Sequence, residues 1–498
     1  MSRRQVPILV GVGQTTQHVE DAAEGREPLS LGTEALRRAL EDTGAGERVV
    51  AELDSLDVVN VISWQYDDLP GRLAAAVGAS PSRTSHSDWG GDRPTLLLDR
   101  AAARIARGES RVAAVVGAEA IKSLELGLRG GRLPEWTPPP PGAAPPNPRD
   151  HVRPLAWDHG LRLPAEVYPL WENGLRSALG LDHEVNQQWS GWLWEQHSRM
   201  AAANPDAWDQ ALHTAEEITT AGPANRPVSH PYVKLMTARI AVNQSAAAIM
   251  MDAALADELA IPEDHRVSPL AGAGLADPDD VLARVAWDRS PSMETALAHA
   301  LERAGVGIDD CDLLELYSCF PCVPKLAIRS LGLPERTDTS VTGGLTFFGG
   351  PGNDYMLHAV VAMVRALRAG DGTTGLLYGN GGFLTKHHAL VVRAGTTDQP
   401  YAVDSATLDA ELQAGIDDLR APALATVANG PATIEAWTVV HDPDGTPATG
   451  IAVCRLRNGE RTVANIVERI DGLLDGRDPV GTGGTIHRDS DRNILSLD

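Results

Sequence analysis

The chain has 498 residues, 43 basic against 67 acidic, and a net charge of -24; it has room for about three domains, and its surface repels phosphate backbones and anionic lipid. Nucleic acid and membrane surfaces are therefore excluded as expected partners, and 43% hydrophobic with 22% charged residues fits a globular rather than a disordered chain. Four cysteines cannot build a disulfide framework, so a reducing, cytoplasmic setting is expected, and no apolar run is long enough to cross a bilayer.

The opening run from Val6 to Val12 is apolar throughout and reads as a strand buried on both faces. Gln14, Thr15 and Thr16 follow at once with no small-residue cleavage region, which argues against a signal peptide. Ser30 as a cap predicts a helix over Leu31 to Thr43, stopped by Gly44. Leu56 to Ile62 is the next strand. Pro94 to Arg107, entered through Asp92, is the next helix, and Val112 to Gly117 another buried strand. Alternating strands and helices predict an α/β body with a mostly parallel sheet.

The helix segment Glu34-Ala-Leu-Arg-Arg-Ala-Leu-Glu-Asp-Thr-Gly44 returns, 261 positions later, as Thr295-Ala-Leu-Ala-His-Ala-Leu-Glu-Arg-Ala-Gly305. Arg104 to Gly117 has its counterpart in Ala366 to Gly379 at nearly the same offset. Two matching elements in one order predict a duplicated βαβαβ unit. The halves are expected at 1–120 with 229–280, and at 281–398, around an inserted domain at 121–228. That insertion opens on Pro134 to Pro148, eight prolines in fifteen residues, which forces an extended linker. It then carries six of the eleven tryptophans between 157 and 208, which either line an apolar slot over a site or form a helical core of their own. From 399 to 498, turn signals at Asp442-Pro-Asp-Gly445 and Asn458-Gly459 separate β-rich stretches, predicting a small barrel-like β domain. Being acidic and nearly free of aromatics, it lacks the equipment of an oligonucleotide binder and is expected to pack on the body or on another chain.

The duplicated half, the insertion and a set of short motifs resemble the thiolase superfamily, above all the sterol-carrier-protein-type thiolase-like proteins with an extra C-terminal domain. The motifs are Leu9-Val-Gly-Val-Gly-Gln-Thr15, His230-Pro-Tyr-Val-Lys-Leu-Met236, Val242-Asn-Gln244, Leu314-Glu-Leu-Tyr-Ser-Cys-Phe320, Gly343 to Gly352 and Tyr378-Gly-Asn-Gly-Gly382. The resemblance spans roughly residues 5–395. It implies a five-layered αβαβα fold, a coenzyme A thioester as substrate with no separate cofactor, and pairing of two chains.

In that family a first-half cysteine at a helix start takes up the acyl group, because the positive helix end stabilises the thiolate. The corresponding stretch, Ser85-His-Ser-Asp-Trp-Gly-Gly-Asp-Arg-Pro94, contains no cysteine. The family's Gly-His-Pro reads Gly349-Gly350-Pro351. Its Cys-x-Gly aligns with Tyr378-Gly-Asn380, and its His-Asp-Cys-Phe becomes Tyr317-Ser318-Cys319-Phe320. Ordinary thiolase chemistry is thus not expected. The remaining candidates are Tyr317, Ser318, Cys319, Tyr378 and Asn380 for catalysis. Ser87 and Asp88 with Gly343, Gly349, Gly350, Gly352, Gly381 and Gly382 are expected to contact substrate, the glycines through free amides that could hold an oxyanion. His86 is a further first-half candidate. Of the pair His387-His388, one is expected to be exposed. Cys319 and Cys322 spell CxxC, but with no second pair no metal site is expected. Two functions follow from the resemblance. One is an acyltransferase on acyl-coenzyme A, including retro-aldol or retro-Claisen cleavage without an acyl-enzyme; the other is a degenerate scaffold that holds acyl-coenzyme A or a partner chain without turnover.

Overall fold

The computed structural model describes residues 5–144, 148–402, 405–468 and 470–497, so the prolines at 145 and 146 of the expected linker lie outside the described residues. Nine strands form the large sheet: β1 (Pro7–Thr16), β2 (Ser55–Val58), β3 (Arg83–His86), β4 (Val112–Ala120), β7 (Asn243–Asp252), β8 (Val267–Ala276), β9 (Leu313–Glu315), β10 (Thr374–Gly381) and β11 (Lys386–Ala394). Their spatial order is β3-β2-β4-β7-β1-β8-β11-β10-β9. Read outward from the centre, β1-β7-β4-β2 on one side matches β8-β11-β10-β9 on the other. The duplication in the sequence is therefore a duplication of the sheet. The sheet is mixed rather than mostly parallel as the alternation predicts: in each half the strand nearest the centre is flanked by an antiparallel one (β7 or β11), and only the outer strands pair in parallel. The halves meet at Leu9 opposite Val267.

Two helices, Arg93–Ala106 and Tyr355–Ala369, lie between the halves and touch strands of both, while Pro28–Asp42 and Pro291–Ala304 cover the outer faces. That gives the five layers. Small residues set the spacing: a Cβ at Gly11 or Gly13 of β1 would come 2.2 Å from the carbonyl of Ala39 or 2.4 Å from that of Ala35. Nothing larger than glycine lets this helix lie so close to the strand.

The first helix begins earlier than Ser30 predicts. Pro28 takes its first turn, with φ preset for a helix, and the Ser30 hydroxyl instead accepts from Arg26. Asp92 precedes the Arg93–Ala106 helix as expected, but its side chain makes no capping hydrogen bond.

The C-terminal strands β12 (Gly430–His441), β13 (Pro447–Leu456), β14 (Arg461–Ile466), β15 (Gly483–Asp489) and β16 (Arg492–Leu497) follow the order β13-β14-β16-β15-β12. Pairing of β12 with β13 closes them into a five-stranded barrel. The insertion adds β5 (Pro227–Ser229) and β6 (Tyr232–Val233) to the same sheet through Ser229 opposite Val440. The barrel packs on the body: Arg461 donates to the carbonyls of Leu282 and Arg284, and Asn173 of the insertion donates to the Trp437 carbonyl at 2.9 Å. Trp171, Trp189 and Trp194 are buried in one core with Phe320, Phe347 and Phe348. The insertion therefore has no core separate from the body. It lies directly on the second half.

Candidate functional site

Four loops converge where β9 and β10 end. The Tyr317-Ser-Cys-Phe320 loop leaves β9, Tyr378 to Gly381 finishes β10, the 87–92 loop enters the Arg93–Ala106 helix, and Gly343 to Gly352 crosses between them. Tyr317, Ser318, Cys319, Tyr378 and Asn380 are all buried. Ser87 and Asp88 are on the rim. The Asp88 carboxylate holds Lys386 at 3.1 Å and Arg93 at 3.2 Å. Partial burial would raise its pKa, but these two cations outweigh that and hold it below the usual carboxylate range. His86 is exposed on the edge strand β3.

Each candidate already has a protein neighbour. The Asn380 amide donates to the Tyr168 hydroxyl at 2.8 Å and lies 3.8 Å from the Cys319 sulfur. Tyr168 in turn donates to the Gly382 carbonyl at 3.0 Å, accepts from the Leu384 amide, and stacks on Phe320. The Ser318 hydroxyl accepts from the Leu345 amide. Tyr378 hydrogen-bonds His387 at 2.7 Å, and behind it Ser290 donates to Asp277 at 2.6 Å, with Asp277 3.4 Å from His387. Both His387 and His388 are buried, contrary to the expected exposed one, because His388 turns to Asp99 at 3.2 Å on the middle helix. Cys319 and Cys322 face different partners: the Cys322 thiol donates to the Tyr168 carbonyl.

Tyr317 occupies the centre. Its backbone has φ +37, a left-handed conformation unusual for an aromatic residue, and its ring packs edge-on against Tyr355 at 5.7 Å. The hydroxyl abuts Gly91, where a Cβ would stand 2.3 Å from it and 2.6 Å from the Asn380 carbonyl. Tyr317 and Tyr378 thus point at different partners. Their hydroxyls are kept neutral, since burial and the neighbouring Cys319 push both well above the ordinary range. Burial likewise pushes the Cys319 thiol up to about 12. At neutral pH this cluster holds neither a thiolate nor a phenolate.

The glycines are packed against protein rather than left bare. A Cβ at Gly343 would meet Ala201 at 2.6 Å, at Gly349 the Gln244 side chain at 2.4 Å, at Gly352 Glu119 at 2.6 Å, and at Gly381 Asp92 at 2.4 Å. Gly350 alone has room, with neighbours at 3.5 Å, while a Cβ at Gly382 would meet the Thr385 hydroxyl at 2.8 Å. The Gly350 amide donates to the Arg239 carbonyl and the Gly352 amide to the Gly350 carbonyl, so neither is free for an oxyanion. Outside the cluster lies a groove of about 590 Å³, lined in part by Asp88, Trp89, Arg153, Gly382, Phe383 and Lys386. A groove of that size suits a small-molecule ligand. Tyr168 is the residue that sequence reasoning missed. It lies in the insertion, far along the chain from its partners, and the tryptophan enrichment around it was the only available signal.

A family model for the additional C-terminal domain of thiolase-like protein type 1 matches residues 411–491. Over 104 residues the chain is 34% identical to a curated protein of Mycobacterium tuberculosis (strain ATCC 25618 / H37Rv) described as a probable acetyl-CoA acetyltransferase, a stretch covering 20% of this chain and 25% of that protein. Among solved structures, a monomeric SCP2-thiolase like protein type 1 from Mycobacterium smegmatis matches with a TM-score of 0.84 and 30% identity over 100% of both chains. The Ltp2-ChsH2(DUF35) aldolase matches with a TM-score of 0.60 and 17% identity, covering 78% of this chain and 98% of that one. An acetyl-CoA acetyltransferase from Syntrophomonas wolfei gives 0.56 and 16%, with 78% and 100% covered. At those last two identities it is the fold that is shared.

Proposed function

Since the chain belongs to the SCP2-thiolase-like proteins of type 1, within the thiolase superfamily, we propose that it binds acyl-coenzyme A thioesters without running thiolase chemistry. The observation that carries this reading is the packed centre. Tyr317 lies against Gly91, in the loop where the family places its acylated cysteine, and the 85–94 stretch has no cysteine. A thiolase needs a nucleophile and a base that change charge near neutral pH. Here the buried thiol and phenols stay protonated. The acetyl-CoA acetyltransferase likeness supports the ligand class, and the Trp89–Phe383 groove supports a place for it. The four free cysteines fit a reducing setting such as the cytoplasm. Among the described residues no helix is long and apolar enough to cross a membrane.

A second reading, carbon–carbon cleavage or acyl transfer without an acyl-enzyme, is favoured by one observation. The Tyr378–His387 hydrogen bond, with Asp277 behind it, makes a buried line along which a proton could be held. One experiment separates the two. Thermal shift and product analysis are run side by side with acetyl-, acetoacetyl- and longer acyl-coenzyme A. Stabilisation of the folded protein with no product is the expected outcome. Product at a rate above solvent would favour the second reading, and no stabilisation by any of these thioesters would sink the binding proposal.

A further inference from the structure

We infer that Tyr317 is the plug of a cryptic acyl-thioester pocket, with Cys319 and Asn380 at its inner end and the Trp89–Phe383 groove at its mouth. The ligand class rests on the proposed function; the plug rests on geometry alone. Tyr317 is a left-handed aromatic residue at the end of a sheet strand, and such outliers persist where the surroundings hold them and recur at ligand clamps and switches. Its ring is held by contact with Tyr355 and Gly91, and among the described residues no hydrogen bond fixes its hydroxyl. Tyr355 is itself anchored to Glu315 and Thr342, so the back wall is rigid while the ring is not tied.

The opposite wall is made of backbone. Gly91 and Gly381 present no side chains; Asp92 Oδ1 lies 2.4 Å from where a Gly381 Cβ would stand, and both it and Asn380 Oδ1 are buried acceptors with no partner. Buried polar atoms normally find one, so two unpaired acceptors on residues that flank Gly91 and Gly381 mark a place that a ligand or water would complete. The path outward is short: the residues flanking this wall, Trp89 and Gly382, line the groove. Rotation of Tyr317 about χ1 would join groove, Asn380 and the Cys319 sulfur. It would also admit water to a thiol that burial keeps protonated, which would make that thiol more reactive.

The test is alkylation of Cys319 by iodoacetamide in the folded protein, with the modified cysteine assigned by peptide mass spectrometry. Tyr317→Ala is expected to raise the Cys319 rate by about tenfold or more. Tyr317→Phe, which keeps the ring, is expected to leave it at the parent rate, and acetoacetyl-coenzyme A should slow alkylation in Tyr317→Ala. A folded Tyr317→Ala whose Cys319 reacts no faster than the parent overturns the plug. Should that variant not fold, Tyr317→Leu is measured in its place and read the same way. Acyl-coenzyme A that raises the melting temperature while Cys319 stays inert in the variant removes the plug and keeps the binding proposal. A reactive Cys319 that no acyl-coenzyme A protects, with no thermal shift, keeps the plug and removes the ligand class.

Discussion

Gly343 carries more of the site's shape than any of its reactive-looking neighbours. Its φ is +117, and an added Cβ would stand 2.6 Å from the backbone nitrogen and Cα of Ala201, so neither conformation nor space admits a side chain. Gly343→Ala is expected to cost about 2 kcal/mol or more. The check is the urea midpoint, and a loss under about 0.5 kcal/mol would mean that the insertion does not press on this loop as described. Gly91 leaves room for Tyr317 through space alone, since a Cβ there would stand 2.3 Å from the hydroxyl. Such glycines were legible as signatures, but whether they border a cavity or a packed neighbour depends on what the rest of the chain brings up to them. Here Ala201, Gln244, Glu119 and Asp92 arrive from four different segments.

Between elements, the insertion is fixed to the second half by a buried ion pair. Lys325 of the Cys322–Ser330 helix is fully buried, with its ammonium on Glu172 and hydrogen-bonded to Asn186 and Ser190 of the helix His183–Ala203. Glu172, in the helix Pro164–Ala178, also accepts from Tyr232 at 2.8 Å. Removing one partner strands a charge in a low-dielectric interior, so Lys325→Met is predicted to destabilise by about 3–5 kcal/mol. Glu172→Gln added to it should restore part of that, because the leftover group is then neutral and can still bond Tyr232 and Asn186. A Lys325→Met protein within about 1 kcal/mol of the parent would refute the pairing. Nothing in the sequence joins positions 172 and 325. A lysine in an apolar stretch reads as a surface residue until the insertion is seen to cover it.

At the scale of the whole molecule, burial of histidine weakens the fold in acid. His159, His183, His197 and His230 are all held below the ordinary imidazole range, with burial the first cause in each. His197, on the insertion's helix His183–Ala203, falls to about 3, pressed against Gly344 of the second half. The unfolded chain binds protons at these sites below about pH 6.5 and the folded one does not, so their stabilisation is present above that pH and lost as pH falls. Glu119, raised to about 7, Asp354, raised to about 6, and Glu166 and Glu315, also raised, pull the other way, since burial makes them bind protons more tightly when folded. The two sets oppose each other between pH 7 and pH 5, so the histidine share is read by removing one histidine. His197 alone accounts for about 2 kcal/mol between pH 6.5 and 5. His197→Gln should raise stability at pH 5 relative to pH 6.5 by that amount; an unchanged difference would show that His197 does not titrate on unfolding. Because the barrel shares a sheet with β5 and β6 of the insertion, the acid transition should involve all parts of the chain together.

Short-range pattern alone determined the duplicated α/β body. A repeat of helix and strand at one offset must give two like half-sheets, since each copy has the same apolar faces to bury. The turn signals likewise marked out the closed C-terminal β domain, and the missing cysteine in the 85–94 stretch was plain from the letters. Tertiary structure decided what fills the centre. That Tyr317 rests on Gly91, that Tyr168 reaches Asn380 from the insertion, and that both His387 and His388 are buried are matters of volume between segments remote in sequence. Spacing along a chain carries no information about which side chain will occupy a shared space; only close packing settles it.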